Sequence, residues 1–457
     1  MLRLALAAAI TTVFLPMAAA AQTTRDEVTF LTGLVKIDTS NPPGNEIEAA
    51  RYVKGILDRE GIPSTIVESA PGRASLIARL KGSGAKKPLM LMGHLDVVGV
   101  ERERWTVDPF AALVKDGYLY GRGAEDDKGM VAANLAVFLK LRRENVPLDR
   151  DVIFLAEAGE EGTSEFGIDY LVASHWDKID CEYALNEGGT FHTEGGKVRY
   201  AGVQTTEKVP RGLLVVARGT SGHGSMPRLD NPVTHLGAAI GKIGAWQPPM
   251  RLNETTREFF SRLAAISPPA EAELYRHLDD PAVQEKLRAT SILYNSMLRT
   301  SVVPTIVKGG FRENVIPADA EAILDVRALP DEDIDQLVAT LKRIVDDPAI
   351  EITRRTTGQR RPGAPASSIH SEMFAALERA QKRVFPEAVT VPLMQTGATD
   401  GAQLRAKGVQ VYGIGIPVDD EDLRRMHGND ERISLAALAR FTDFLYVAVT
   451  DVAAARR

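Results

Sequence analysis

Three short apolar runs, Leu89–Gly93, Val152–Ala156 and Tyr183–Leu185, constrain this chain more than any other feature. Each is too short for an ordinary helix and lacks the alternation of a strand with one wet face. Each therefore reads as a strand buried on both sides. A helical stretch over Gly129–Arg143 separates the first two, which is the layering of an α/β fold with helices on both faces of a sheet. In such folds, functional residues gather in the loops beyond the carboxyl ends of the strands.

The same pattern extends across the chain. Helices are expected from Arg25 to Val35 and over Glu46–Glu60, with strands at Ser64–Glu68 and Ser75–Leu80. A second unit begins near Lys208 and runs strand Leu213–Arg218, helix Pro232–Trp246, strands Thr305–Gly309 and Glu321–Arg327, helix Glu332–Val345 and strand Ile350–Arg354. That β-α-β-β-α-β order matches a ferredoxin-like module inserted into the first domain. The expected division is 1–21 as a leader, 22–207 with 358–457 as one domain, and 208–357 as the insert. After Gly358 the first pattern resumes with helix Glu372–Val384, strand Val409–Gly413 and helix Leu435–Ala448. The segment Gln247–Ser301 is mostly helical by pattern and is expected to enlarge the insert.

Arg3 followed by apolar residues from Leu4 to Ala18 and small residues at Ala19–Ala21 predicts a cleaved secretory signal and an exported, periplasmic protein, the alternative being a short membrane anchor. No later stretch is long and apolar enough to span a bilayer, so no stable membrane insertion is expected once the signal is removed. A net charge of −6 with both signs intermixed argues against nucleic acid as a partner. Cys181 is the one cysteine, so a metal site would have to be built from His and carboxylates.

Residues 93–98 read GHLDVV, and strand alternation directs His94 and Asp96 to the same side. An aspartate so placed can orient an imidazole for metal binding, or can simply pair with it structurally. Residues 117–129, GYLYGRGAEDDKG, bring three acidic residues to the start of a helix, where carboxylates are also favoured for capping alone. GEEG at 159–162 and NEGG at 186–189 follow two of the apolar runs. Taken singly each has an ordinary explanation, but four strand ends delivering His or carboxylates suggest one site.

With these motifs, together with GTSGHGSMP at 219–227, the NVIP and LDVR pair, TGATDG at 396–401 and MHGNDE at 426–431, the chain resembles the M20 family of metallopeptidases and aminoacylases over nearly its whole mature length. The resemblance implies a zinc-peptidase domain with a mixed sheet flanked by helices and an inserted α+β lid that mediates dimerisation, here a possible homodimer. It implies two Zn2+ per subunit, bridged by Asp126, one completed by His94 and Glu187 and the other by Glu161 and His427. Asp96 would support His94, Glu160 would be the general base, and His223 would stabilise the oxyanion, supplied by the partner subunit in dimeric members. Asn314 and Arg327 would hold a substrate carboxylate, facing backbone donors at Gly397 and Thr399. A cis peptide would fall at Asp126-Asp127. Glu125 stands where the family carries a small or apolar residue, which leaves open which carboxylate bridges, and Gly159 replaces a common acidic residue.

The chemistry suits the residues: carboxylates and imidazoles hold zinc, and a glutamate beside it can shuttle a proton from water to a leaving amine. Within the family that the chain resembles, a glutamate at the NEGG position goes with carboxypeptidases and deacylases and an aspartate with aminopeptidases and dipeptidases, so the resemblance implies, through Glu187, a substrate with a free carboxylate beside the scissile amide. The expected activity is zinc-dependent release of an amino acid from small peptides or N-acyl amino acids. The alternatives are a dipeptidase requiring a free amino terminus and an inactive metal- or peptide-binding protein.

Overall fold

The central sheet follows from the apolar runs. In the computed structural model, which describes residues 25–162, 164–356 and 361–455, Leu89–His94 lies parallel between Val152–Glu157 and Tyr183–Asn186, and Gln410–Gly413 continues the parallel set. The expected leader 1–21 and the boundary at 357/358 lie outside the described residues. Antiparallel pairing on the flanks, such as Arg73–Leu80 against Val152–Glu157, makes the ten-stranded sheet mixed.

Strand alternation explains how one run serves two cores. Leu89, Leu91, Val152 and Phe154 join the cluster beneath helices Asp26–Val35, Lys128–Arg143 and Leu435–Ala453. Met90, Met92, Ile153 and Leu155 join the opposite cluster with Ile168, Leu171 and Leu404. Both faces are dry, which is why these strands carry no polar alternation. Among the described residues, no helix is long and apolar enough to cross a membrane.

The insert has its own core and a five-strand antiparallel sheet in which Ser301–Gly309, Asp319–Ala328, Leu213–Arg218 and Ile350–Arg354 follow in that order and the short Val209–Pro210 also pairs with Asp319–Ala328, covered by Pro232–Ala245 and Ile334–Val345. This is the ferredoxin-like arrangement expected. Gln247–Ser301 departs from expectation. Its helices, from Glu254–Ile266 to Ile292–Met297, pack through Phe259, Phe260, Leu263 and Met297 on Tyr200, Val391 and Leu393 of the large sheet, and Arg262 donates to the Thr390 carbonyl at 3.0 Å. The segment covers the outer end of the large sheet, where its apolar faces meet Tyr200, Val391 and Leu393, and it also reaches the insert through Leu329 and through Arg251, which pairs with Asp331 and Glu332. Strand Val389–Gln395, which forms this end, is hidden in the sequence by Pro392. It pairs along Lys197–Glu207, a place where a missing N–H is tolerated if the other side needs no partner.

Candidate active site

Parallel pairing aligns the carboxyl ends of three central strands, so His94 stands opposite Glu157 and the turns that follow share one edge. His94 ends its strand almost fully buried. Its Nδ1 lies 2.9 Å from the Asp96 carbonyl oxygen, and its Nε2 lies 3.0 Å from Asp126 Oδ1. The Asp96 carboxylate was the expected orienting group, but it stands 3.6 Å from Nδ1. It instead accepts from the N–H groups of Gly159, Glu160 and Glu161 at 2.9, 3.1 and 3.1 Å, and from Asn41 Nδ2 at 2.7 Å. Burial alone would raise its pKa, yet His94 and these donors hold it below the ordinary carboxylate range. Asp96 therefore orients the imidazole through its backbone and the GEEG turn through its side chain. Gly159, at φ +82°, makes that turn possible.

Asp126 divides its oxygens: Oδ1 faces His94, and Oδ2 lies 2.9 Å from His427 Nε2. The same His427 nitrogen is 2.9 Å from Glu161 Oε1. Donor atoms of His94, Asp126 and Glu161 lie within 4.8 Å of one another, as do those of His94, Glu160 and Glu187. The two donor groups share His94, and Asp126, a member of the first, turns its other oxygen to His427, so nitrogen and oxygen donors of the kind that hold divalent cations converge here. The peptide Asp126-Asp127 is cis. Glu125 does not meet the histidines and lines the adjoining cavity.

So many buried carboxylates distort the titration of the group. Burial pushes Glu160 up to about 7 against the pull of the Arg361 guanidinium, and burial together with Glu160 raises Glu187 well above its ordinary value. Hydrogen bonds to Asp126 and Glu161 push His427 up to about 10. Excess buried negative charge thus binds protons where cations can replace them.

Three supporting residues had no assigned role in the sequence. Glu431, buried in the MHGNDE motif, accepts from Arg122 Nη1 at 2.6 Å and from the N–H groups of Gly123, Glu125 and Asp126 at 3.0, 2.8 and 3.1 Å, which shapes the turn carrying Asp126. Arg361 donates to Glu160 Oε1 at 2.8 Å. Glu207 accepts from the Thr399 N–H at 3.2 Å and hydroxyl at 2.8 Å. A buried charge needs partners distant in sequence, so no local motif announces any of them except the ending of MHGNDE. Thr399, expected to face substrate, spends both donors on Glu207, whereas Gly397 lines the cavity.

That cavity, about 420 Å³, opens beside Asp126 and Glu187 and is walled by Phe259, Leu293, Met297, Leu393 and Ile416. The lid residues lie elsewhere. His223 is exposed and bonds Ser225 through Nδ1, and the Asn314 carbonyl accepts from Gly224 N–H at 2.9 Å, so these two share one end of the lid. Arg327, paired with Asp325 at 3.0 Å, sits at the other end of strand Asp319–Ala328, about 26 Å further along at ~3.3 Å per residue. Asn314 and Arg327 were expected to grip one carboxylate, and this fold separates them within a single chain. Among the described residues, no hydrogen bond or ion pair joins His223 to the cluster.

Comparison with known proteins agrees with this geometry. Residues 90–451 match the Peptidase family M20/M25/M40 model. The chain is 27% identical to the human N-fatty-acyl-amino acid synthase/hydrolase, over 87% of this chain and 81% of that protein. It is 28% identical to a probable carboxypeptidase S-like protein of Dictyostelium discoideum, over 81% and 73%. Its fold is similar to that of an M20 family metallo-carboxypeptidase from Sulfolobus solfataricus, with a TM-score of 0.70, 20% identity, and coverage of 94% and 100%. The matched region runs from the strand carrying His94, through the lid, into the helix after His427, and the chain accordingly belongs to the M20/M25/M40 peptidase family, as a metallopeptidase or amidohydrolase.

Proposed function

We propose that this protein hydrolyses the amide bond next to a free carboxylate, releasing an amino acid from N-acyl amino acids with an apolar acyl group or from small peptides, with two zinc ions at the His94, Asp126, Glu161, Glu187 and His427 cluster. The observation that carries the reading is the apolar cavity opening directly beside Asp126 and Glu187. Its volume is in the ~300–1,000 Å³ range of small-ligand pockets, and its walls match an aliphatic acyl group better than a charged peptide. The human relative's name, with its fatty-acyl substrates, supports the same class.

Two bound divalent ions would supply Lewis acidity toward the scissile carbonyl and make water acidic enough to attack near neutral pH. Glu160 takes the proton from the attacking water and returns it to the leaving amine nitrogen. Asp96 keeps the GEEG turn, and with it Glu160 and Glu161, in place. Gly397 offers backbone at the cavity wall. Arg327 binds the substrate carboxylate from the lid, a role suited to a guanidinium. His223 and Asn314 act from a second copy of the chain, a reading supported by their distance from Arg327 along the same lid and by the exposure of His223.

The test is a matched panel of free dipeptides, their N-acyl forms, and N-acyl amino acids with short and long acyl groups, each also as the C-terminal amide. Released amino acid is measured with zinc and with chelator. Chelator-sensitive cleavage of N-acyl substrates, abolished by amidation and by Glu160→Gln, is the expected result. Cleavage confined to free dipeptides would make the protein a dipeptidase instead.

A further inference from the structure

We propose that Arg361 is a positioning residue for the general base, its guanidinium holding the Glu160 carboxylate by one oxygen so that the other is presented to the reacting water. The inference rests on Glu160 being the base, and it starts from a pair that no motif contains. The Arg361 side chain is 1% exposed, and that of Glu160 is 10% exposed. Nη2 donates to Glu160 Oε1 at 2.8 Å and lies 3.4 Å from the Glu160 carbonyl oxygen. Nη1 pairs with Asp400 and lies 3.4 Å from Gln403 Oε1. The Arg361 carbonyl in turn accepts from Arg211 Nη1 at 2.8 Å, and the Arg211 N–H donates to Val326 of the lid strand at 2.7 Å.

These contacts make the guanidinium a fixed part. Its two prongs are set by carboxylates on separate loops, the GEEG turn and the TGATDG loop, and its backbone is pinned at the crossing into the lid. The need for it comes from charge. Glu160 lies with donor atoms of His94 and Glu187 inside a 4.8 Å group, and neighbouring Glu161 and Asp126 add further negative charge. A buried carboxylate in that company is repelled from the position its function requires unless a cation holds it. A planar fork fixes direction as well as charge, which a lysine ammonium does not. With Oε1 engaged, Oε2 is the oxygen directed to proton transfer.

The experiment compares Arg361→Met, Arg361→Lys, Glu160→Gln and the Glu160→Gln/Arg361→Met pair as full-length, metal-loaded protein. It reads kcat and KM, metal content, and urea midpoints. General-base catalysis contributes about 10²–10⁴-fold. A displaced base should therefore lower kcat about 30-fold or more in Arg361→Met, with KM within about threefold and both metal equivalents retained. Arg361→Lys, which keeps the charge and loses the fork, should recover part of the loss, and it carries the kinetic test if the Met variant does not fold. In the stability cycle the double variant should lose less than the sum of the single losses, because Arg361→Met leaves the buried Glu160 and Asp400 carboxylates both without their cation, and Glu160→Gln removes one of those two charges. Wild-type kcat in Arg361→Met, a loss explained by missing metal, or additive midpoints would overturn the proposal. Should the wild-type protein cleave nothing in the substrate panel, the functional reading fails by itself, while the stability cycle still reports whether Arg361 and Glu160 are coupled.

Discussion

Glu431→Gln perturbs the site while leaving every side chain of the histidine–carboxylate cluster unaltered. Glu431 Oε1 accepts the N–H groups of Glu125 and Asp126, while Oε2 accepts Arg122 Nη1 and the Gly123 N–H. Glutamine keeps one acceptor oxygen, which can serve Glu125 and Asp126, but turns an NH2 group toward two donors. Arg122 is 2% exposed, so its charge loses its carboxylate with little water to replace it. Breaking a buried ion pair by removing one partner costs about 3–5 kcal/mol. The orphaned Gly123 N–H adds to this, with one unsatisfied donor worth about 1–3 kcal/mol. We expect a loss of about 4–8 kcal/mol in urea unfolding of the metal-free protein, together with weaker metal binding, because the turn that delivers Asp126 loosens. Arg122→Met combined with Glu431→Gln should be less destabilised than Glu431→Gln alone, since the unpaired cation is gone. A loss below about 1 kcal/mol, or a double variant worse than both singles, would refute the reasoning.

Two further outcomes are expected. Leu293 is 50% exposed at the cavity wall; Leu293→Ser should remove about 1 kcal/mol of apolar contact, lowering kcat/KM about fivefold for long-chain N-acyl substrates and little for N-acetyl ones. An equal loss for both acyl lengths would show that the side chain does not meet the acyl group. Burial, with the Arg327 cation adding, lowers the Lys208 pKa to about 7. In the unfolded chain Lys keeps its proton to about pH 10.4. Between these values the unfolded state binds more protons, so this group makes stability rise with pH from about 7 to 10 and contributes no slope below 7. Urea midpoints at pH 6, 7, 8.5 and 10 should show that slope reduced in Lys208→Met, and identical slopes in both proteins would remove Lys208 as its cause.

The α/β class, the ferredoxin-like insert and the strand ends that carry chemistry were legible from the chain alone. Their signals are local: three apolar runs without alternation, glycine-rich turns after them, and acidic residues or histidine at fixed short distances. A strand buried on both faces needs apolar residues at every position, and a turn with positive φ needs Gly159, so neighbouring residues suffice to announce both. Local signals could not say what Gln247–Ser301 packs against. Its amphipathic helices advertise an apolar face, but only the shape of the sheet around Tyr200 and Leu393 decides which surface covers it.

The division runs through the site itself. Sequence by itself determined which residue types stand at the strand ends, because alternation and turn chemistry act within a few residues. Tertiary structure alone decided that Asp126 turns one oxygen to each histidine, that the Asp96 carboxylate serves the GEEG turn while its carbonyl meets His94, and that Arg361, Glu207 and Glu431 neutralise or orient groups far away in the chain. It also separated Asn314 from Arg327 by the length of a strand. Partners of buried charges are chosen by proximity in space, and a linear pattern of residues carries no record of that proximity.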